Sequence, residues 1–252
     1  MNTRLRVISV KLAGVVSLLA LWELASSVVG VQWVPGVGAV AGRASAELLK
    51  GALVRDIAAT SGLFFVGTSI GLILGAAAAC ALRLSPRIDQ MVQPFITAAM
   101  SVPKLGLVPL LVLWFGTSWA PKVGLVSITV FFIVFALTYS GLLAVDPRLV
   151  TTARVLGANS LQVTRSIVFP TVWPFVLTGM EVALPWALSA AIVAEYLSAE
   201  RGIGHGIEQA RQMSDSVGVF YGIVLATVVV LVCNVMLVVT RRMTVKGNLE
   251  NV

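Results

Sequence analysis

Residues 60–82 read TSGLFFVGTSIGLILGAAAACAL, a run without one charged side chain. Wound as an α-helix rising about 1.5 Å per residue, such a run is long enough to cross the ~30 Å hydrocarbon core of a bilayer. Five more tracts of similar character lie at 12–30, 91–115, 123–145, 171–194 and 219–240. The expected fold is therefore an all-α membrane protein of about six transmembrane helices. Composition agrees: of 252 residues 58% are hydrophobic and 12% charged, and the mean hydropathy is +0.96, whereas an average soluble domain is roughly a quarter charged. A soluble α/β domain of this length would spread its charges along the chain instead of leaving such gaps.

The third tract carries Pro94, Pro103, Lys104 and Pro109. Proline inside a span is tolerated where neighbouring groups or water satisfy the carbonyls it frees, so a broken or pore-lining helix is expected there. Basic residues are retained on the cytoplasmic side of a membrane. With the amino terminus inside, the inner segments hold Arg4, Arg6, Lys11, Arg83, Arg87, Arg148, Arg154, Arg165, Arg241, Arg242 and Lys246. The outer ones hold Arg43, Lys50, Arg55, Lys122, Arg201 and Arg211, together with Glu47, Asp56, Glu195, Glu200, Glu208 and Asp215. Both termini are expected in the cytoplasm. The net charge of +7 is then a topology signal, and with no aromatic-interleaved basic patch no nucleic-acid partner is expected. The basic start MNTRLRVISVK could open a signal peptide, but the apolar stretch outruns a typical h-region and Trp22 and Glu23 interrupt it, so a first span is expected. Cys80 and Cys233 fall within spans, far from any metal-ligand spacing, and read as small packing residues.

Between the fourth and fifth tracts the chain is polar and carefully punctuated. Asp146 can N-cap a helix with Pro147 at its first position, and Gly157 can close it in a left-handed conformation. Asn159 with Gln162 forms a capping-box pattern for a second short helix, which Pro170 should stop before the next span. Leu149, Thr152, Ala153 and Leu156 recur at i, i+3, i+4 and i+7, giving an apolar and small stripe. Spacing alone leaves two readings open, a helix inserted into a partner's groove or one lying on the membrane surface.

The stretch ARVLGANSLQVTRSIVFP resembles the EAA motif of ABC importer permeases. Ala153, Gly157, Ile167 and Pro170 stand at the motif's spacing, with Thr151 and Thr152 in place of its Glu-Ala and Phe169 in place of its Leu. SVPKLGLVPLLVLWFG (101–116), VLTGMEVALPWALSAAIVAEYL (176–197) and RGIGHGI (201–207) are similar to the permeases for nitrate, aliphatic sulfonates and taurine. The resemblance implies a type I ABC importer permease fold with a cytoplasmic coupling helix in a bacterial inner membrane. It divides the chain into an N-terminal span and outer loop (1–55), a permease domain (56–240) and a cytoplasmic tail (241–252). It also implies a dimer of ATP-binding subunits, a second permease copy completing a homodimeric pore and an extracytoplasmic substrate-binding protein. Thr151, Thr152, Ala153, Leu156, Gly157, Ile167 and Pro170 are then the ATPase-coupling residues.

The chain has no Gly-Lys dipeptide and so no phosphate-cradling loop; ATP and Mg are expected on the partner subunit, with no cofactor or metal in this chain. No H-E-x-x-H motif occurs, and no enzyme class is expected. A charge near a span centre costs about 2.5 to 3.5 kcal/mol on insertion scales, which singles out Lys104, Glu23 and Glu181. Lys104, between Pro103 and Pro109, suits an anion in the pathway; its alternative is a snorkelling or helix-end role. Glu181 and Glu23 can pair with Lys104, line the pathway or sit at an interface. Glu195 ends the fifth span and Gly202, Gly204 and Gly206 follow, read as a gate, a binding-protein contact or a plain outer loop. His205, the one histidine, has no partner for a metal site and reads as a loop residue. The rival reading is an ion-gradient-driven secondary transporter or channel, which would explain spans and buried charges but not the capped helix pair.

Overall fold

The computed structural model describes residues 2–198 and 200–249; at 2–8, 11, 86, 198 and 237–249 it describes the backbone only. The side chains of Arg4, Arg6, Lys11, Arg241, Arg242 and Lys246, expected on the cytoplasmic side, thus lie outside the described residues. Among the described residues all regular structure is helical: α1 (Asn2–Val29), α2 (Val37–Leu49), α3 (Ala52–Arg83), α4 (Pro86–Ser101), α5 (Val108–Phe115), α6 (Trp119–Leu143), α7 (Pro147–Val155), α8 (Ser160–Val163), α9 (Phe169–Ser198), α10 (Ile203–Gln212) and α11 (Ser216–Leu249). Five helices are long and apolar enough to span a membrane, and α4 with α5 makes a sixth, bent by 80° at its break. The broken third span expected from its prolines is therefore observed. Pro94 stays inside α4, whereas Val102 and Pro103 are extended and carry the break.

The core is the stack of α3, α6 and α9. Gly67, Gly71 and Gly75, one turn apart on α3, meet α6 so closely that a Cβ at Gly71 would lie 2.6 Å from the Ser127 carbonyl and one at Gly75 2.7 Å from that of Phe131. Small residues at i, i+4 and i+8 let two backbones approach and gain dispersion contacts, which matter in lipid, where apolar burial between helices has little driving force. On the other side of α6, Gly141 receives Phe175 of α9 and Gly179 of α9 lies against Val134. At the centre Leu125, Val126, Val130 and Val134 are fully buried. The hydroxyls of Thr68, Ser127 and Thr138 are buried there without a hydrogen-bond partner.

Two sequence expectations need correction. The segment before α3, expected as an outer loop, is not simply a loop, because α2 lies in it, its first N–H (Val37) donating to Glu23 Oε2 at 3.0 Å. Gly202 to Gly206, and His205 with them, are not a loop either: Gly202 turns with φ of +112° and α10 begins at Ile203. The shorter apolar face of these helices is what hid them, since neither spans. By contrast α1 is peripheral, with 6% of its span window buried, and is held at one end by Trp22 Nε1 donating to Pro35 O at 2.9 Å.

Gly71→Val should lower the unfolding free energy by about 1–3 kcal/mol or prevent folding, the usual cost of overpacking. Thr68→Val, which removes a hydroxyl that bonds to nothing and keeps the shape, should leave stability unchanged or raised. Thermal unfolding of the detergent-purified chain, followed by near-UV circular dichroism, checks both.

Candidate functional site

Three places gather the residues singled out by the sequence, and they lie at different depths. The first is the helix pair α7–α8. Asp146 accepts from Arg148 N–H at 2.8 Å, which satisfies one of the free donors of the first turn. Gly157 has φ of +88°, and the N–H groups of Gly157 and Ala158 reach back to Arg154 O at 3.0 Å and Ala153 O at 2.9 Å. That is a Schellman closure. Asn159 and Gln162 exchange backbone-to-side-chain bonds of 2.8 and 2.9 Å, the expected capping box. Thr151 donates to Pro147 O at 2.9 Å, within its own helix. Leu149 is 56% exposed and Leu156 82%, so the stripe, with Thr152 exposed and Ala153 half-buried, has no intramolecular partner face.

Pro170 does not stop the second helix. Residues 164–168 form a π turn that runs straight into α9, with Phe169 N–H bonding Thr164 O five residues back. The wider turn shifts the hydrogen-bond register, so the N–H that proline lacks is not called for in its usual place. Ile167 accepts the Thr171 hydroxyl at 2.7 Å inside this continuous rod.

The second place is the break in the third span. Lys104 Nζ donates to Met100 O at 2.8 Å, more weakly to Val102 O at 3.5 Å, and stands 5.0 Å from the Phe132 ring centre. It thereby satisfies carbonyls left free at the end of α4, where a cation also complements the helix dipole. A cavity of about 450 Å³ opens beside it, lined by Pro103, Lys104, Thr129, Phe132, Val182 and Trp186 among others. Thr129 donates to Leu125 O and so offers this cavity only lone pairs. Pro109 sits in the first turn of α5. Glu181 is half-buried on α9, one residue before Val182. Glu23 is occupied by the start of α2.

The third place is the opposite end from α7. Glu195 is 3% exposed; one of its oxygens accepts both Thr60 Oγ1 at 2.9 Å and Gly204 N–H at 3.0 Å. Thr60 Oγ1 in turn accepts Ile203 N–H at 2.9 Å, and Asp56 Oδ1 accepts Gly202 N–H at 3.3 Å. The open N–H groups at the start of α10 are thus capped by side chains of α3 and α9. A Cβ on Gly202 would lie 2.4 Å from the Glu195 carboxylate and one on Gly204 2.3 Å from Ile192 O, which is why glycine stands at both. On the surface of α10 the Arg211 guanidinium holds the Glu208 carboxyl well below the usual range, helped by Tyr196 and Gln212. Glu195 lies thirteen residues beyond Val182, about 20 Å further along α9; the structure does not bring it together with Lys104. The buried Asp89 was missed in the sequence: it accepts from Tyr139 at 2.8 Å and from Arg83 at 3.2 Å, joining α4 to α6 and α3. No group of His, Cys, Asp or Glu that could hold a metal occurs among the described residues.

A family model described as binding-protein-dependent transport system inner membrane component matches residues 67–246. The chain is similar to a formylaminopyrimidine transport permease protein of Halalkalibacterium halodurans, 27% identical over 81% of each chain. It is 33% identical to a putative aliphatic sulfonates transport permease of Bacillus subtilis over 66% of this chain and 59% of the relative. It is 28% identical to the Escherichia coli taurine transport system permease over 72% and 63%. Its fold is that of a chain in the inward-facing methionine ABC transporter MetNI, with a TM-score of 0.67, 17% identity, and 78% of this chain and 98% of that one covered.

Glu195→Ala should destabilise the folded chain by about 1–3 kcal/mol, because it leaves the Gly204 N–H and the Thr60 hydroxyl buried without an acceptor. Glu195→Gln, which keeps one acceptor oxygen, should lose clearly less. Thermal unfolding midpoints of the two variants against wild type measure the difference.

Proposed function

Because the chain belongs to the family of binding-protein-dependent transport system inner membrane components, we propose that two copies of it line the pathway of an ATP-driven importer for a small anion such as a sulfonate, taurine or nitrate. A member of this family is a multi-pass inner-membrane permease without catalytic activity or cofactor; ATP is bound and hydrolysed by a separate subunit. The observation that carries the reading is the α7–α8 pair, rigidly capped at both ends and presenting Leu149, Thr152 and Leu156 to solvent. Such a helix docks into the cleft of an ATP-binding subunit, and Ala153 and Gly157 keep the approach close. The rod from Ser160 into α9 carries the resulting movement into the bundle. Both termini and α7–α8 face the cytoplasm, α10 faces outward, and an extracytoplasmic binding protein delivers the cargo to that outer end.

Anion passage rests on Lys104. An ammonium has three donors, and two are directed to Met100 O and Val102 O, which leaves one for a sulfonate or carboxylate oxygen in the adjacent cavity. Sulfonate and taurine are the cargoes in the names of two relatives. A second reading, a pyrimidine, is favoured by Phe132 and Trp186 in the lining of the same cavity and by the name of a third relative. Flat rings stack on such side chains.

In proteoliposomes containing the chain and its ATP-binding subunit, Gly157→Asp and Ala153→Arg should abolish copurification or stimulated ATP hydrolysis while the spans remain inserted. Unchanged hydrolysis would make α7 a membrane-surface helix. Lys104→Glu should retain assembly and lose anion uptake, measured with radiolabelled taurine and an alkanesulfonate; uptake equal to wild type would remove Lys104 from the pathway.

A further inference from the structure

A second cavity, of about 680 Å³, lies under α7 and α8 against the ends of α3 and α6, and the transport reading makes no use of it. Two guanidinium groups line it, those of Arg83 and Arg154. Arg83 spends one nitrogen on Asp89 at 3.2 Å, which leaves the rest of its fork open. Arg154 is exposed, and its guanidinium makes no hydrogen bond or ion pair among the described residues. No acid is found among the described lining side chains, so the cavity is positive. The rest of the wall is chiefly aliphatic: Leu84, Leu142, Val163 and Val168 contribute, and Leu84 is 86% exposed.

Planar guanidinium forks match the oxygens of a phosphate. A hydrated inorganic phosphate would use the two arginines but gain nothing from the aliphatic wall. A phosphate that carries acyl chains uses both. The position also fits, since the apolar run of α3 ends at Arg83, where a membrane helix meets the headgroups, and in the orientation proposed above this is the anionic cytoplasmic leaflet. We propose that this cavity binds the phosphate of an anionic phospholipid, with Arg83 and Arg154 on its oxygens and an acyl chain along Leu84 and Val168. The assignment rests on the inside-facing orientation for its leaflet, but the site itself does not depend on ATPase docking.

Cys80 lines the same cavity and is exposed, so its thiol reports occupancy. The full-length chain carrying Cys233→Ala is reconstituted in nanodiscs of phosphatidylglycerol or of phosphatidylcholine, and the rate of Cys80 alkylation by an uncharged maleimide is measured in each. Both faces of a nanodisc are open to reagent, so the reading of orientation and of coupling can fail without altering the result. In phosphatidylglycerol the rate should fall roughly tenfold, as mass action gives for a site with ligand at ten times its Kd. Arg154→Gln should restore the phosphatidylcholine rate while in phosphatidylglycerol, which separates occupancy from a general effect of surface potential on thiols. Equal rates in the two lipids, or protection that survives Arg154→Gln, would overturn the site. Protection reproduced in phosphatidylcholine by inorganic phosphate alone would overturn the lipid and leave a free anion as the ligand.

Discussion

The rest of the structure depends on how closely α3 can lie against α6. Lipid is as apolar as leucine, so two spans gain little by hiding side chains from it and must gain instead from packing density. Gly67, Gly71 and Gly75 bring the backbones within a distance that any side chain would prevent. Once α6 is fixed this way, its opposite face receives α9 through Gly141 and Gly179, and the three helices form a slab from which the functional pieces project. The capped pair α7–α8 leaves one end of α6 and enters α9; α10 is clamped on the other end by groups from α3 and α9. The broken span leans on the slab through Lys104 and Phe132 and through Asp89 on Tyr139.

The two ends of the slab are built on different principles. At the α7 end, local signals do the work: an Asx cap, a left-handed glycine and a capping box each satisfy backbone groups from within a few residues. Such a unit holds its shape with little help from the bundle, which suits a surface offered to another protein. At the α10 end the satisfaction is long-range, with Thr60 and Glu195 serving a helix start 143 and 9 residues away from them in sequence. A short amphipathic helix held by buried hydrogen bonds to α3 and α9 is tied to both of them.

This difference also explains what could be read in the sequence. The caps at Asp146, Gly157 and Asn159 were legible because each acts on neighbours, and the spans were legible because hydrocarbon imposes a length. The break near Pro103 was legible for the same reason, since proline removes a local donor. Glu195 is legible as a charge at a span end, but its partners are not, because nothing nearby in sequence announces Thr60. The helices α2 and α10 were hidden by being too short to span and by glycines that looked like loop punctuation, when Gly202 and Gly204 are there for closeness to Glu195 and Ile192. Pro170 misled in the opposite direction. A π turn before it absorbs the missing donor, a change of hydrogen-bond register that helix propensities do not contain. The glycines at 67, 71 and 75 carry a local signal for close packing in their spacing of four, because each stands where a Cβ would meet α6.

The stretch from Ser160 to Leu197 qualifies as one apolar rod of 38 residues, about 57 Å at helical rise. It begins at the capping box beside the exposed α7 and ends just past Glu195, so the two faces of the membrane are mechanically joined by a single strut. Along it the weakest points are Pro174 and Pro185, the prolines in the interior of α9, where a lost backbone bond lets a helix flex. A twist applied at Ser160 would meet both of these points before it reached the α10 clamp, and the second of them adjoins Trp186 in the wall of the Lys104 cavity.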